Sequence, residues 1–150
     1  MDAIDQKLLR AHQNNPEWSM SELGDVVGLS RASCWKRLKA LEDNGYILGK
    51  AVLLNQAKLG LNVTVIANIK LEKTTTETLK LFEAAVEDHA QIVTCQAMSG
   101  DSDYTLRVVA KSIEDYEVLL RETLANLPAV ADIRSSFALK SVKNSTELPV

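Results

Sequence analysis

The chain has 150 residues, of which 46% are hydrophobic and 25% are charged, a balance that is normal for a soluble globular protein with one ordinary domain or two small ones. No apolar run approaches the roughly 18 residues that a membrane-spanning helix needs, so we expect no membrane partner. The opening residues, MDAIDQKLL, lack the basic start and apolar stretch of a secretion signal, and we therefore expect a cytoplasmic protein.

The two cysteines, Cys34 and Cys95, lie far apart in the sequence and each stands within an apolar pattern. We expect both to be buried free thiols, because a single distant pair is not a disulfide framework. Neither has a second cysteine or a histidine at ligand spacing, so we expect no metal and no other cofactor.

The net charge of −3 at first argues against nucleic acid as a partner, but its distribution matters more than its sum. Residues 1–50 hold seven basic and seven acidic side chains, whereas residues 51–150 hold ten and thirteen. Within the neutral half, the segment from Val26 to Leu41 has no acidic residue. It contains the four basic residues Arg31, Lys36, Arg37 and Lys39. Such a local basic face is what contacts to DNA phosphates require.

The apolar residues at the start of the chain follow a helical period. A first helix is predicted to begin at the N-cap residue Asp2 and to end at Asn14-Asn15-Pro16. A short second helix is predicted to begin at Ser19 or Ser21 and to be closed by Gly28.

A third helix is predicted to be capped by Ser30, to run to Asn44 and to stop at Gly45. Projected at about 100° per residue, its inward face holds Cys34, Leu38 and Leu41. The outward arc carries Ala32, Ser33, Trp35, Lys36 and Lys39, with Arg31 and Arg37 on its flanks. A basic surface helix of any three-helix domain would show the same charges, but the short helix and the Gly28-Leu29-Ser30 turn before it favour a helix-turn-helix that binds DNA.

Such a helix fits the major groove, where residues near its N-terminus reach base edges. Our candidates for base contact are Ala32, Ser33 and Lys36, and our candidates for phosphate contact are Arg31, Arg37 and Lys39. Ser30 caps the helix and offers its N-terminus to a phosphate. Trp35 either stacks on the sugar-phosphate backbone or borders the core, and the sequence leaves both readings open.

The second half of the chain alternates strands and helices. Val63 to Leu71 has a period of two and predicts a strand with one well-buried face. The elements after it are predicted as a helix over Thr76–Asp88, strands over Ile92–Met98 and Asp103–Ala110, a helix over Ser112–Asn126 and a strand over Ala131–Leu139. The order βαββαβ is the ferredoxin-like split motif, so the whole chain is predicted to be α+β.

Between the two halves, Tyr46 to Leu54 is rich in β-forming residues and predicts a small two-stranded wing or a linker strand. We therefore divide the chain into four parts: a DNA-binding domain over residues 1–50, a linker strand and connection over 51–62, a ferredoxin-like domain over 63–142 and a polar tail over 143–150.

Three segments carry a resemblance to a known family. They are S-E-L-G-D-V-V-G-L-S-R-A-S-C-W-K-R-L-K-A-L-E-D-N-G-Y-I at 21–47, M-S-G-D-S-D-Y-T-L at 98–106 and E-T-L-A-N-L-P-A-V-A-D-I-R-S-S-F at 122–137. In this order they resemble the leucine-responsive regulatory proteins of the Lrp/AsnC family over essentially the full chain. Ala129 departs from the pattern, which often has Gly in L-P-G-V; we expect a shifted local turn there without loss of the fold.

The resemblance implies a winged helix-turn-helix domain joined to a ferredoxin-like effector domain, the RAM domain. It implies homodimers that assemble further, commonly into octamers, and an amino-acid effector bound between dimers. Carried over, the motif places the pocket at Ser99, Gly100, Asp101, Asp103 and Tyr104, with Ser135 and Ser136 facing the pocket of a neighbouring dimer. Met98, Ile113 and Phe137 would line the slot for the effector's side chain. The effector would be leucine, methionine or another apolar amino acid, and Asp101 or Asp103 would take its ammonium group. Without the resemblance, Ser99-Gly100-Asp101-Ser102 would be read as an ordinary hairpin turn.

We therefore expect a sequence-specific transcription regulator, not an enzyme, that binds double-stranded DNA and responds to an amino acid. One alternative is an architectural DNA-binding protein that needs no ligand. Another is a tetrapyrrole decarboxylase of similar architecture, which would need basic residues and a histidine to converge on a cavity. His12 and His89 stand alone in the sequence, without the partner that a catalytic histidine requires.

Overall fold

The computed structural model describes residues 1–150. Three helices come first: α1 over Ala3–Asn14, α2 over Met20–Val27 and α3 over Arg31–Asp43. They are followed by β1 over Val63–Leu71, α4 over Thr76–Glu87, β2 over Ile92–Ala97, β3 over Tyr104–Ala110, α5 over Ile113–Glu122, a 3₁₀ turn over Leu124–Asn126 and β4 over Val130–Phe137. The chain forms two compact units, one of Met1–Leu53 with Lys143–Val150 and one of Leu54–Val142. None of its helices combines the length and apolar character that crossing a membrane would take.

The first two helices begin with capping boxes. Asp2 accepts a hydrogen bond from the Asp5 N–H, and the Asp5 side chain accepts one from the Asp2 N–H. Ser19 and Glu22 make the same reciprocal pair at the start of α2, so Ser19 is the cap. Each box satisfies two backbone N–H groups that a helix N-terminus otherwise leaves without partners. The predicted start at Asp2 is confirmed.

Two glycines shape the turn between α2 and α3. Gly28 ends α2 in the left-handed conformation with φ of 75°, as predicted for a closing glycine. Gly24 lies within α2, and a Cβ atom there would stand 2.5 Å from the carbonyl oxygen of Leu29. The chain after Gly28 therefore folds back directly against α2, which only a residue without a side chain permits.

The core of the first unit consists of Leu8, Leu23, Cys34, Leu38 and Leu41. Cys34, Leu38 and Leu41 are the predicted inward face of the third helix, and all three are buried. His12 is buried beside this core, and its Nδ1 atom has no hydrogen-bond partner.

The segment after α3 differs from its prediction. No strand forms between Tyr46 and Leu54, where a two-stranded wing or linker strand was expected. β-forming residues need a neighbouring strand to receive their backbone hydrogen bonds, and no strand of this chain pairs with the segment. Ile47 packs against the core of the first unit, but four other apolar side chains of the segment are open to solvent: Leu48, Val52, Leu53 and Leu54.

The tail rejoins the first unit. Gln13 on α1 donates to the Leu148 carbonyl at 2.8 Å and accepts from the Leu148 N–H at 3.0 Å. Arg10, one turn earlier, donates through Nε to the Val150 carbonyl oxygen at 3.0 Å. We call residues 143–150 the tail strap.

The second unit is a four-stranded antiparallel sheet in the order β2-β3-β1-β4. Val65, Ala67 and Ile69 of β1 point to the buried face, as the period of two predicts, and pack with residues of α4 and α5. The predicted βαββαβ order and the ferredoxin-like, α+β architecture are confirmed. Cys95 was expected to be buried but is exposed, because it lies on the edge strand β2.

Two local predictions near β4 need correction. The helix expected to reach Asn126 ends at Glu122, because the Asn126 side chain donates to the carbonyls of Arg121 and Glu122 and closes the helix there. At Ala129 a shifted turn was expected, but the residue keeps a φ of 57°, the one positive φ outside glycine. Its carbonyl accepts from the Glu72 N–H at 2.8 Å beside the register shift of β1 and β4, which holds the turn in place.

Candidate DNA-binding helix and effector loop

The N-terminus of α3 is organised by two serines. The Ser30 hydroxyl accepts from the Ser33 N–H at 3.2 Å and lies 3.0 Å from the Ser33 hydroxyl, to which it donates. Ser30 is thus the cap that the sequence predicts, and both hydroxyls point into the same exposed end of the helix. The free N–H groups at this end and the helix dipole together favour an anion.

The outward arc of α3 is open to solvent as predicted, with exposed side chains at Arg31, Ala32, Ser33, Trp35, Lys36 and Lys39. Trp35 is 59% exposed and is absent from the core, which Trp18 joins instead. Of the two readings left open by the sequence, bordering the core is therefore wrong for Trp35. An exposed indole on a basic helix leaves a large apolar surface available to a partner.

The basic residues of α3 fall into two groups. Arg37 lies 2.8 Å from Asp2 and 2.7 Å from Asp5, and hydrogen bonds to these carboxylates raise the pKa of its guanidinium. Lys39 lies 2.9 Å from Asp43 one turn along the helix, and this contact raises the pKa of its ammonium group. Arg31 and Lys36 have no acidic partner within ion-pair distance. They are the two cations of α3 whose full charge faces outward.

In the effector loop, Asp101 and Asp103 differ in what holds them. Met98, Ser99, Gly100 and Asp101 are all exposed, and Gly100 has a φ of 125°. Asp103 instead accepts the Leu71 N–H at 2.8 Å and lies 3.5 Å from the Lys70 ammonium. The Asp103 carboxylate is therefore part of the joint between β1 and β3, whereas that of Asp101 is free.

Tyr104 begins β3 and is buried on the helix-covered side of the sheet. Its hydroxyl donates to Glu83 Oε1 at 2.6 Å, and its ring centroid lies 4.6 Å from that of Phe82. Burial and the neighbouring Glu83 carboxylate raise the pKa of Tyr104 to about 12. The side chain therefore points away from the exposed loop and into the core.

The three predicted pocket residues of β4 do not share one face, because adjacent residues of a strand point to opposite sides. Ser135 is 2.5 Å from the Tyr116 hydroxyl, and the Phe137 ring stands edge-on to the Tyr116 ring at 5.5 Å, so both face the helices. Ser136 is exposed and lies opposite Ile66 on the other face.

The loop and the end of β4 also lie at different ends of β1. Asp103 contacts the Ile69–Leu71 end, whereas Phe137 pairs with Val65. Four residues of strand, about 13 Å, separate the two positions. Ile113 and Met98 are both exposed, so one chain does not enclose these residues in a single cavity.

Several contacts escape sequence reasoning. Asp2 is recognisable as a cap, but nothing in the sequence indicates that it also binds Arg37, 35 residues later. Lys70 likewise shows no sign of its pairing with Asp103, because the two meet only through the register of β1 and β3.

Comparison with known proteins agrees with this arrangement. Residues 1–47 match the family model of a winged helix-turn-helix DNA-binding domain, and residues 64–148 match that of the Lrp/AsnC ligand-binding domain. The DNA-binding transcriptional activator DecR of Escherichia coli K12 is 34% identical over 100% of this chain and 99% of its own. The Bkd operon transcriptional regulator of Pseudomonas aeruginosa is 40% identical over 95% of this chain and 93% of its own.

A solved transcriptional regulator of Neisseria meningitidis, in complex with L-Met, superposes with a TM-score of 0.94 at 31% identity, over 99% of this chain and 96% of its own. With both domains matched in order and full-length relatives that regulate transcription, the chain belongs to the Lrp/AsnC family of DNA-binding transcription regulators.

Proposed function

We propose that this regulator binds specific DNA sequences through α3 and that a small apolar amino acid, such as leucine or methionine, changes its DNA binding or its assembly. The observation that carries the proposal is the pairing of an exposed helix that holds two unpaired cations, Arg31 and Lys36, with a domain that presents a free carboxylate, Asp101, on an exposed loop.

For the DNA side, Lys36 stands on the outward arc between Ala32 and Lys39 and is the cation best placed to reach the groove. Ser30 and Arg31 lie at the helix N-terminus, where phosphates are favoured. Lys39 contributes less because its charge is shared with Asp43. The exposed indole of Trp35 supports contact with a sugar or a thymine methyl group.

Replacing Lys36 with alanine tests this assignment. We expect weaker binding to a duplex that the wild-type protein has selected from a random library. If Lys36 holds a phosphate or a base edge next to one, the slope of log affinity against log salt falls by about one. Lys80→Ala, an exposed lysine on α4, is the matched control and should leave both quantities unchanged. If the Lys36 and Lys80 variants bound the duplex equally well, the assignment of Lys36 to the DNA interface would be wrong.

For the effector side, a free amino acid carries an ammonium group that a carboxylate attracts and a carboxylate that backbone N–H groups attract. The exposed Asp101 carboxylate and the open backbone at Gly100 supply both chemistries within two residues. Asp103 anchors the end of the loop to β1, because its carboxylate accepts a hydrogen bond from the Leu71 N–H. Met98, next to the loop, offers exposed apolar surface for the side chain of the ligand. Ile113 lies beyond the opposite end of β3, so it would have to reach such a pocket from a neighbouring chain.

Thermal-shift screening of the twenty amino acids tests the effector, because a ligand of the folded state raises the melting temperature by mass action. We expect a shift with an apolar amino acid that Asp101→Asn abolishes and that Asp88→Asn, at the exposed end of α4, retains. Light scattering on the same samples then reports whether the ligand changes the oligomer. Unchanged DNA affinity, mass and melting temperature across all twenty would favour a ligand-independent architectural protein.

The proposed assembly is a homodimer that associates further, up to an octamer. Its support is the apolar surface that a single chain leaves uncovered, including the exposed side chains between Leu48 and Leu54. The separation of the effector loop from Ser135–Phe137 is also consistent with a pocket completed by a neighbouring chain. Linked DNA-binding units would then add affinity through effective concentration.

A further inference from the structure

Arg37 closes an unusual ring of contacts with the start of α1. Its Nη1 atom donates to Asp2 Oδ2 and to Asp5 Oδ1. The other oxygen of each carboxylate is already used in the capping box, where Asp2 Oδ1 accepts from the Asp5 N–H and Asp5 Oδ2 accepts from the Asp2 N–H. We call these three residues the Arg37 clasp.

The clasp is better ordered than an ordinary surface ion pair. Exposed pairs contribute little because two long side chains must be held in place for one contact. Here both carboxylates are fixed by backbone N–H groups, and the side chain of Asp5 is only 16% exposed. The Arg37 guanidinium therefore meets a preformed acceptor that ties α3 to the first turn of α1.

The charge of the clasp also argues against a phosphate contact. One guanidinium faces two carboxylates, so the group carries a net charge of about −1 at neutral pH and repels a phosphate. The pKa of Asp2 lies below its ordinary value because of the Asp5 N–H and Arg37, so its carboxylate stays ionised. The unpaired cations Arg31 and Lys36 lie elsewhere on the helix.

We infer that Arg37 is a positioning residue that fixes the orientation of α3 against α1. The basic pattern of the sequence suggested a phosphate contact for Arg37, and the inference replaces that assignment. The inference rests on the proposed use of α3 to read DNA. A reading helix must place several side chains against base edges together, so a small rotation lowers specific affinity while leaving the charge available to any DNA unchanged.

The test compares Arg37→Ala, Arg37→Lys and Asp5→Asn with the wild type. Asp5→Asn keeps an oxygen for the capping box but removes the charge that holds Arg37. Binding is measured over a salt series, to the duplex selected from a random library and to an unrelated duplex of equal length. Melting temperatures show that each variant is folded, and Lys36→Ala provides the signature of a lost DNA contact.

Arg37→Ala and Asp5→Asn should both reduce affinity for the selected duplex by roughly tenfold, equal to about 1.4 kcal/mol. Neither variant should lower the salt slope by the full unit expected for a lost phosphate contact. The affinity for the unrelated duplex should change only slightly, downward for Arg37→Ala and upward for Asp5→Asn, because these changes alter the charge of the clasp by −1 and +1. The ratio of selected to unrelated binding should therefore fall in both variants. A variant that combines Arg37→Ala with Asp5→Asn should bind the selected duplex no more weakly than either single variant, because both substitutions break the same contact. Arg37→Lys should recover only part of the loss, because an ammonium group lacks the fixed donor geometry of a guanidinium.

A phosphate contact would give a different result: Arg37→Ala would lower the salt slope by about one, and Asp5→Asn would bind as tightly as the wild type or more tightly. That outcome overturns the inference, as does a lower melting temperature with no change in the ratio of specific to unrelated binding. If Lys36→Ala also left binding unchanged, the proposed reading by α3 would fail with it. If Lys36→Ala shows the expected loss of DNA affinity, the use of α3 in DNA binding is supported whatever the Arg37 variants show.

Discussion

At the scale of single residues, partners decide what a charged side chain can do. Arg31, Lys36, Arg37 and Lys39 are equivalent in composition, yet carboxylates occupy Arg37 and Lys39 and leave Arg31 and Lys36 free. Asp101 and Asp103 differ in the same way, since only Asp103 is held by a backbone N–H. The sequence identifies such residues as candidates but does not rank them.

His12 makes the stability of the first unit depend on pH. Burial, followed by the charge of Lys50, lowers its pKa below the ordinary value of 6.5, while Glu42 opposes the shift. A histidine with a depressed pKa in the folded state binds more protons when unfolded, so its contribution is complete above about pH 6.5 and is lost as the pH falls toward the folded pKa.

We expect the free energy of unfolding to fall below pH 6.5 by up to about 1.4 kcal/mol per pH unit until the folded pKa is reached. Urea unfolding at pH 7.5 and 5.5 measures this, followed by the fluorescence of Trp18 and Trp35, which both lie in the first unit. His12→Leu should reduce the difference between the two pH values, whereas His89→Gln should retain it. An identical difference in the His12 variant would exclude burial of its imidazole as the cause.

At the scale of elements, the caps and periods of the sequence predict the helices and strands closely. The structure confirms the predictions that rest on local interactions: the N-caps at Asp2 and Ser30 and the strand with alternating burial from Val63 to Leu71. The wrong predictions concern segments whose structure or burial depends on residues far away in the sequence. Tyr46–Leu54 has β-forming residues but no strand beside it to pair with, and Cys95 has apolar sequence neighbours but lies on an edge strand and is exposed.

Gly24 provides the test at this scale, because the turn between α2 and α3 closes against its bare backbone. Gly24→Ala would bring a Cβ atom to 2.5 Å from the Leu29 carbonyl, a backbone atom that cannot simply rotate away. We expect a loss of stability of about 2 kcal/mol, within the range for overpacked sites, despite the better helix propensity of alanine. Circular dichroism during urea unfolding measures it.

Gly60→Ala is a useful comparison, since that glycine lies in a turn of the second unit with open space around it, and the cost of a side chain there comes from its positive φ of 75°. A smaller loss at Gly24 than at Gly60 would mean that backbone conformation, rather than close approach, dominates the cost.

At the scale of the whole molecule, the resemblance carried by three segments was sufficient to predict both domains and their order, and the comparisons agree. The candidate effector site was less accessible to the sequence. Tyr104, Ser135 and Ser136 are neighbours in motifs, but the pleat and the register direct one into the core and the two serines to opposite faces. A linear motif records which residues matter without recording which side they face.

The tail strap has a practical consequence for dissecting the molecule. Because residues 143–150 return to α1, the second unit is in architectural terms an insertion between two parts of the first. A fragment cut after residue 53 would contain all three helices but would lack the segment that Gln13 and Arg10 bind. A faithful minimal version of the DNA-binding unit would therefore join residues 143–150 to residue 53 through a short flexible connector, bypassing the sheet entirely.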